Sequence, residues 1–254
     1  MIQKIDYVIG SGGLSLWERI CLGKKSISFI TSDNQKDKGK FKLIDESQTI
    51  INKNISNKII SKKFKEALLP SKTLLTNEKI FSINDTYGTK RIVRSVLGKE
   101  KLKLSLEKAE RKDLYIFYDW INNPIVRKNS VNKSLVSFKK HYKWFEKKIN
   151  SNKSFLFLAK DNIGLPVGQV RFDFEKKTER VYVDISVDEI CRGMGVGNFL
   201  LHNGIKKINT VNKNKFKIFA IVLKHNIASA NLFKKNNFTL VDKKKNKLYF
   251  KLNN

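Results

Sequence analysis

Residues 181–201, VYVDISVDEICRGMGVGNFLL, decide how the second half of the chain folds. Their first part, Val181–Val187, is rich in β-branched residues and predicts a strand. Apolar residues then recur at helical spacing over Gly195–Ile208, which predicts an amphipathic helix. The stretch is therefore a strand, a short turn and a helix.

The turn of this unit carries three glycines, Gly193, Gly195 and Gly197. Glycine allows close approach to the backbone, and amides at a helix N-terminus can converge on a phosphate. Arg192 adds a fixed positive charge. The turn thus predicts a pyrophosphate-binding loop. The alternative is a turn in which the glycines only permit tight packing of the strand against the helix.

Outward from this unit, the hydrophobic pattern predicts an α/β protein of two parts that divide near Gly98. The predicted elements of residues 99–254 are strand Leu102–Lys108, helices Asp113–Asn122 and Ser134–Lys148, strands Ser154–Lys160, Val167–Glu175 and Arg180–Val187, helix Gly195–Ile208, strand Phe216–Leu223, helix Ile227–Asn236, and strands Phe238–Lys243 and Lys247–Leu252. Pro124 is expected in a loop that ends the preceding helix. The predicted elements of residues 1–98 are two strands, each followed by a helix: Ile5–Ile9 with Leu14–Leu22, and Ser26–Ile30 with Lys36–Asp45. A polar segment over 48–65 follows them.

Composition narrows the class of protein. The 254 residues are 41% hydrophobic, which excludes wholesale disorder, and their net charge of +29 favours anionic small molecules as ligands. The lysines form no organised stripe with interleaved aromatics, so we expect solvated faces rather than nucleic-acid binding.

Two cysteines allow no disulfide framework, and three histidines without a CxxC motif argue against zinc. With no signal peptide and no long apolar run, we expect a cytoplasmic protein without a membrane segment or a metal.

The spacing Arg192-x-x-Gly195-x-Gly197 resembles the acetyl-CoA loop of the GNAT N-acetyltransferases, and the likeness covers about Lys101 to Asn254. The stretch from Val222 to Asn226 is similar to that family's later strand. The resemblance implies a GNAT fold, with a mixed, mostly antiparallel sheet flanked by helices, and acetyl-CoA as cofactor. The cofactor-binding residues it implies are Ile185, Ser186, Val187, Arg192, Gly193, Met194, Gly195, Val196, Gly197, Asn226 and Ser229.

Two positions depart from the family pattern. Phe233 stands where many members have a tyrosine that protonates the leaving thiolate, so that role lacks its usual residue. Asn237 replaces the glycine of a Gly-Phe pair, and asparagine tolerates the left-handed conformation best after glycine. The turn at Asn237 is therefore expected to survive.

Side chains alternate between the two faces of a strand, which places Tyr182, Asp184 and Ser186 on one face. The polar side chains of the neighbouring strand, which alternate in the same way, are Gln169, Arg171 and Asp173. A polar face on a sheet that helices should cover predicts an open, functional side. Amine acetylation needs a group that accepts the proton of the attacking ammonium, for which Asp184 is the first candidate and Asp173 the second. The alternative is a solvent-facing edge with Arg171 and Asp173 paired along the strand.

His141 lies on a predicted helix with apolar residues at helical spacing, so a packed histidine is an alternative to a functional one. The segments Asp119–Pro124, Val126–Arg127 and His141–Phe145 resemble the GNAT branch that acetylates UDP-linked 4-amino sugars in pseudaminic acid biosynthesis. This resemblance implies a UDP-linked amino sugar as acceptor. The candidate substrate-binding residues of this part are Arg171, His141 and Tyr182.

The segment from Asp6 to Gly23 resembles the C-terminal half of the UDP-sugar hydrolase of the same pathway, and the likeness covers residues 1–98. It implies a partial Rossmann-like half-domain of the GT-B type. Gly12 and Gly13 would hold UDP phosphates at a helix start, and Glu18 would accept ribose hydroxyls; a plain strand-to-helix turn is the alternative. The hydrolase's other half has no counterpart here, so the fragment is expected to be a remnant, an incomplete chain or half of a split protein whose partner chain supplies the rest.

The leading hypothesis is an acetyl-CoA-dependent N-acetyltransferase (residues 99–254) that acts on a UDP-linked amino sugar and is joined to a partial hydrolase domain (residues 1–98). A protein or peptide N-acetyltransferase with the same loop is the second hypothesis. A catalytically silent binding protein is the third, motivated by Phe233 and the missing hydrolase half.

Overall fold

The computed structural model describes residues 7–22, 24–35, 48–52, 55–68, 87–98, 102–175, 178–211 and 216–253. The chain forms two compact units, residues 1–85 and 86–254. The first unit is a three-stranded parallel sheet in the order β1-β2-β3. Its elements are β1 (Tyr7–Ser11), α1 (Leu14–Cys21), β2 (Lys25–Phe29), β3 (Gln48–Ile51) and α2 (Asn57–Leu68).

The sequence-based expectation of two strands in the first unit is wrong, because β3 pairs with β2. β3 contains three consecutive β-branched residues, Thr49, Ile50 and Ile51, of which Ile51 is fully buried. The segment was expected to be polar because its average composition is dominated by Asn, Lys and Ser. The helix predicted over Lys36–Asp45 lies outside the described residues.

The second unit is a seven-stranded sheet in the order β4-β5-β6-β7-β8-β10-β9. All neighbouring pairs are antiparallel except β7 and β8, which are parallel. The strands are β4 (Leu104–Lys108), β5 (Ser154–Asp161), β6 (Pro166–Glu175), β7 (Arg180–Val187), β8 (Lys217–Leu223), β9 (Phe238–Lys244) and β10 (Lys247–Leu252). The helices are α3 (Gly88–Leu97), α4 (Leu114–Asn122), α5 (Pro124–Lys128), α6 (Phe138–Ile149), α7 (Val196–Val211) and α8 (Ile227–Lys235). The mixed, mostly antiparallel sheet flanked by helices is the predicted one.

Both faces of this sheet are covered. Alternate residues such as Phe172 and Val183 are buried in one cluster with Leu200 of α7 and Phe233 of α8. Residues of the opposite parity, Leu156 among them, pack with aromatic side chains of α4 and α6 in a second cluster. The strand period of two thus supplies one apolar surface to each helix layer.

Helix α3 belongs to the second unit, although the sequence resemblance placed its segment in the first. The side chain of Arg94 is fully buried, and its Nε donates to Oδ2 of Asp161 at 2.7 Å. Oδ1 of Asp161 accepts the backbone N–H groups of Ile163 and Leu165 in the turn between β5 and β6. The boundary between the two compact units therefore precedes α3, whereas the predicted domain boundary near Gly98 follows it.

Two further predicted bounds shift in the structure. Pro124 does not lie in a loop: it is the first residue of α5, a position that suits proline because no intrahelical N–H is needed there. Oδ1 of Asn123 caps this helix by accepting from the amide of Ile125 at 3.0 Å. Helix α6 begins at Phe138, later than the predicted Ser134. Within the described part of the chain, no helix is both long and apolar enough to cross a membrane.

Candidate active site

The site is where β7 and β8 separate. The two strands are paired only over Arg180–Val183 and Lys217–Ala220, while β8 continues along β10. The last four residues of β7, Asp184–Val187, remain paired to β6 alone. A wedge therefore opens in the sheet on the far side of β7 from β6.

Backbone groups of β7 face this opening at alternate positions. The amide of Asp188 donates to the carbonyl of Val167 on the β6 side at 2.9 Å. In an antiparallel ladder, residues two apart point their backbone groups the same way. Ser186 therefore directs its N–H and C=O at β6, whereas Ile185 and Val187 direct theirs into the wedge. Of the three residues predicted to present backbone groups to pantetheine, these two have the matching orientation.

The glycine turn after β7 is open on its outer side. Gly193 and Gly195 have φ of +74° and +87°, which L side chains rarely adopt. A Cβ added to either residue would meet no other atom within 4 Å, so the requirement for glycine is conformational and the space beside the turn is free. Nε of Arg192 donates to the carbonyl of Val187 at 3.4 Å, which holds the guanidinium at the mouth of the turn. This arrangement fits an incoming pyrophosphate.

Gly197 has a different reason to be glycine. A Cβ there would lie 3.2 Å from Leu232 of α8, so this residue permits α7 and α8 to pack closely. At the start of α8, Oδ1 of Asn226 accepts from the amide of Ser229 at 3.1 Å and caps the helix. Asn237 adopts φ +61°, which confirms the expected turn after α8.

One cavity of about 590 Å³ joins the glycine turn to the polar face of β6 and β7. Most of the predicted site residues line it. These are Ile185, Ser186, Val187, Arg192, Gly193, Gly195, Val196, Gly197, Asn226, Ser229, Arg171, His141 and Asp184. Met194, Tyr182 and Asp173 do not belong to its lining.

Arg171 organises the charges of the polar face. Its Nε lies 2.8 Å from Oδ2 of Asp173, and its Nη2 lies 2.9 Å from Oδ2 of Asp184. Asp173 also accepts from Nζ of Lys148 at 2.5 Å and from the hydroxyl of Ser154. Burial would raise the pKa of Asp173, but Arg171, Lys148 and Ser154 outweigh this and hold that pKa below its ordinary value. Asp173 is thus a poor proton acceptor, whereas the Asp184 side chain is 53% exposed and has a single cationic partner in the described chain.

His141 lies beneath the cavity wall, 2% exposed, among the rings of Tyr118, Trp144 and Phe145. Burial lowers its pKa from 6.5 to about 4, so the imidazole is neutral near pH 7. Its Nε2 has no hydrogen-bond partner among the described residues. His141 is therefore a packed histidine, as in the alternative interpretation, and it also lines the cavity.

Aromatic residues of α4 and α6 were not predicted as part of the site. Phe117, Trp120 and Trp144 line the cavity, and the guanidinium of Arg171 lies 5.3 Å from the centre of the Trp144 ring. Phe117 and Trp120 are also buried in the second cluster, against which Trp144 packs, and a hydrophobic pattern gives no signal that separates a core face from a cavity wall.

Phe233 and Cys191 limit the chemistry of the site. Phe233 is 3% exposed and packs on Phe238 and Phe250, and the described residues of the cavity lining include no tyrosine. Burial raises the pKa of the Cys191 thiol to about 11, so it is protonated at neutral pH and a poor nucleophile. Direct attack by the acceptor amine is the route these residues leave. The described residues contain no cluster of His, Cys, Asp and Glu that could hold a metal ion.

The predicted phosphate site of the first unit includes one glycine whose amide is already engaged. Gly12 is unsuited to it, because its amide already donates to the carbonyl of Phe29 at 2.9 Å and a Cβ there would meet Ile30 at 2.9 Å. Gly13 precedes α1 as its cap residue, and Glu18 is exposed one turn on. The UDP roles of Gly13 and Glu18 remain predictions.

The chain belongs to the acetyltransferase (GNAT) family, whose model matches residues 110–238. Together with the glycine turn and the wedge between β7 and β8, this identifies an acetyl-CoA-dependent N-acetyltransferase. A search of curated proteins found no match.

Solved structures of low sequence identity share the fold of the second unit. A spermidine N-acetyltransferase from Vibrio cholerae, solved with CoA and spermine, is 18% identical with a TM-score of 0.52, over 58% of this chain and 92% of that chain. A domain from Methanocaldococcus jannaschii is 19% identical with a TM-score of 0.52, over 59% and 98%. A candidate phosphinothricin N-acetyltransferase is 24% identical with a TM-score of 0.50, over 59% and 98%.

Proposed function

We propose that this acetyltransferase acetylates the amino group of a UDP-linked 4-amino sugar in pseudaminic acid (nonulosonic acid) biosynthesis. The sequence support is that both parts of the chain resemble proteins of that one pathway. The observation that carries the proposal is the cavity, which places the acetyl-CoA turn and the polar face of Arg171 and Asp184 in one space.

The charge of the cavity favours an acceptor that is not a polycation. Its described lining carries three cationic side chains, Arg171, Arg192 and Lys235, and one carboxylate, Asp184. Like charges repel strongly where water is partly excluded, so a polyamine is disfavoured there. A nucleotide-linked sugar has anionic phosphates and a single amine, and this charge distribution suits it.

Acetyl-CoA, when bound, supplies the acetyl group as a thioester. Arg192 and the amides of Gly193, Gly195, Val196 and Gly197 are the groups that would hold its pyrophosphate. The outward-facing backbone groups of Ile185 and Val187 would hold the pantetheine, and amides at this strand end would polarise the thioester carbonyl.

In the proposed mechanism Asp184 accepts the proton of the acceptor ammonium, the amine bonds to the acetyl carbon as the thioester C–S bond breaks, and the leaving thiolate takes its proton from solvent. Its half-exposed carboxylate can pass the proton to solvent, and Arg171 fixes its position at 2.9 Å. We assign Asp173 a positioning role, because its bonds to Arg171 and Lys148 fix the guanidinium that orients Asp184.

Acetyl transfer by the full chain tests this proposal. The protein is incubated with acetyl-CoA and a UDP-linked 4-amino-4,6-dideoxy sugar, and the sugar is examined by mass spectrometry for the gain of one acetyl group. Spermine and a peptide with a free N-terminus are the matched acceptors. Acetylation of the sugar at least about tenfold faster than of either control is the expected result, and preferential acetylation of a control would overturn the choice of acceptor.

The mechanism has its own test. Asp184→Asn should lower kcat by about 10²–10⁴-fold, with little change in acetyl-CoA affinity. Asp173→Asn should lower it less. Turnover by Asp184→Asn at the wild-type rate would remove Asp184 from the mechanism.

A further inference from the structure

A buried hydrogen bond joins helix α4 to the segment that leads into the glycine turn. Nε1 of Trp120 donates to Oδ2 of Asp188 at 2.8 Å, and the two residues are 6% and 9% exposed. Hydrogen bonds to a charged partner are stronger than neutral ones, and a buried carboxylate that loses its donor is destabilised.

Asp188 fixes the start of the acetyl-CoA turn through three contacts. Its backbone amide donates to the carbonyl of Val167 at 2.9 Å. Its Oδ1 caps the 3₁₀ turn Glu189–Cys191 by accepting from the amide of Ile190 at 3.2 Å. Trp120 holds the remaining carboxylate oxygen. Since Arg192 follows that 3₁₀ turn directly, the orientation of Asp188 sets where Arg192 and the glycines begin.

Trp120 also forms part of the wall opposite the turn. It lines the cavity together with Phe117 and Ile121 of the same helix. A second, outer contact links the two sides, because Nδ2 of Asn123 donates to Oε2 of Glu189 at 3.2 Å. A shift of α4 in response to an acceptor would therefore act on the 3₁₀ turn.

We propose that Trp120 is a positioning residue, which orders the acetyl-CoA turn through Asp188 and couples acceptor binding at α4 to acetyl-CoA binding at Arg192. The identity of the acceptor rests on the proposed function, but the effect on acetyl-CoA does not. Because coupling between two sites is reciprocal, each ligand should raise the affinity for the other.

Calorimetric titration of the full chain with CoA tests the cofactor half. Trp120→Phe keeps an aromatic ring but removes the donor, and it should weaken CoA binding about tenfold. Asp188→Asn leaves one accepting oxygen for two donors, Nε1 of Trp120 and the amide of Ile190, so its NH2 group opposes one of them and CoA binding should weaken at least as much. Phe145→Leu is the control, because Phe145 is fully buried in the same cluster as Trp120 and does not line the cavity. It should lower Tm without changing CoA affinity.

The outcomes separate positioning from simple destabilisation. CoA affinity within twofold of wild type in both Trp120→Phe and Asp188→Asn would overturn the proposal, and so would an equal loss in Phe145→Leu. Asp188→Asn decides the question if Trp120→Phe does not fold. For the coupling, the sugar acceptor should tighten CoA binding in the wild type and not in Trp120→Phe. Failure of the sugar to be acetylated would refute the proposed function but leave the CoA result standing.

Discussion

Replacing Arg94 by methionine should destabilise the second unit strongly, although Arg94 lies outside the family-matched residues. The Arg94–Asp161 pair is fully buried on both sides, with Nε and Oδ2 2.7 Å apart. Nη2 of Arg94 also donates to Oδ1 of Asn162 at 3.0 Å. Removing one partner of a buried pair leaves an uncompensated charge and costs about 3–5 kcal/mol.

The two amide bonds that Asp161 Oδ1 accepts remain in this variant, so we expect a loss near the lower end, about 3 kcal/mol. For a domain of this size, that corresponds to a fall in Tm of about 6–12 °C. Chemical denaturation followed by tryptophan fluorescence measures the change. Trp17→Phe as the background leaves Trp120 and Trp144, both in the second unit, as the reporters.

Two companion variants make this measurement specific to the ion pair. Lys90→Met, on the same helix, removes a 3.3 Å bond to the carbonyl of Gly164 and a cation–π contact with Tyr87, and it should cost about 1 kcal/mol or less. Arg94→Met with Asp161→Asn should be more stable than Arg94→Met alone, because the unpaired charge is gone. A loss of less than about 1 kcal/mol for Arg94→Met, or no recovery in the double variant, would refute the reasoning.

Three other changes have definite expected outcomes. Burial lowers the His141 pKa from 6.5 to about 4, so the unfolded state takes up the proton first as the pH falls. The free energy of unfolding should therefore fall by about 1.5 kcal/mol between pH 6.5 and 5, which urea titration at both pH values measures. His141→Gln should remove this part of the pH dependence. Gly195→Ala, at φ +87°, should cost about 1–2 kcal/mol of strain and weaken CoA binding in calorimetry, since the space is open but the conformation is not. Phe233→Tyr buries a hydroxyl among Phe238 and Phe250, so thermal melting should show a loss of about 1–3 kcal/mol of stability, whereas a gain in turnover would show that the hydroxyl reaches the leaving group.

The sequence predicted the second unit well where each element had its own pattern. The strand Ser154–Lys160 is a continuous apolar run, Arg180–Val187 alternates, and the glycine turn has a fixed spacing, so the sequence could predict both the sheet and the turn. β3 was missed because three β-branched residues within a polar segment are too short a signal for a strand.

Charge pairing could not be predicted, because it depends on contacts distant in sequence. Asp173 and Asp184 have similar positions on adjacent strands and share Arg171, and the further contacts of Asp173 with Lys148 and Ser154 make it the poorer base. Arg94 belongs to a basic, amphipathic segment whose pattern says nothing of Asp161. The contact of Trp120 could not be predicted either, because its bond to Asp188 spans 68 positions of sequence.

The early end of pairing between β7 and β8 has a consequence for how the protein tolerates change. At Ile185 and Val187 the groups proposed to hold the cofactor are those of the main chain, which every amino acid except proline carries alike. Exchanges such as Ile185→Val or Val187→Ile leave the hydrogen-bonding groups in place, so the site can vary in sequence there while its ligand remains the same. Proline at Ile185 or Val187 would remove an outward-facing N–H, so proline is the residue that these two positions should exclude.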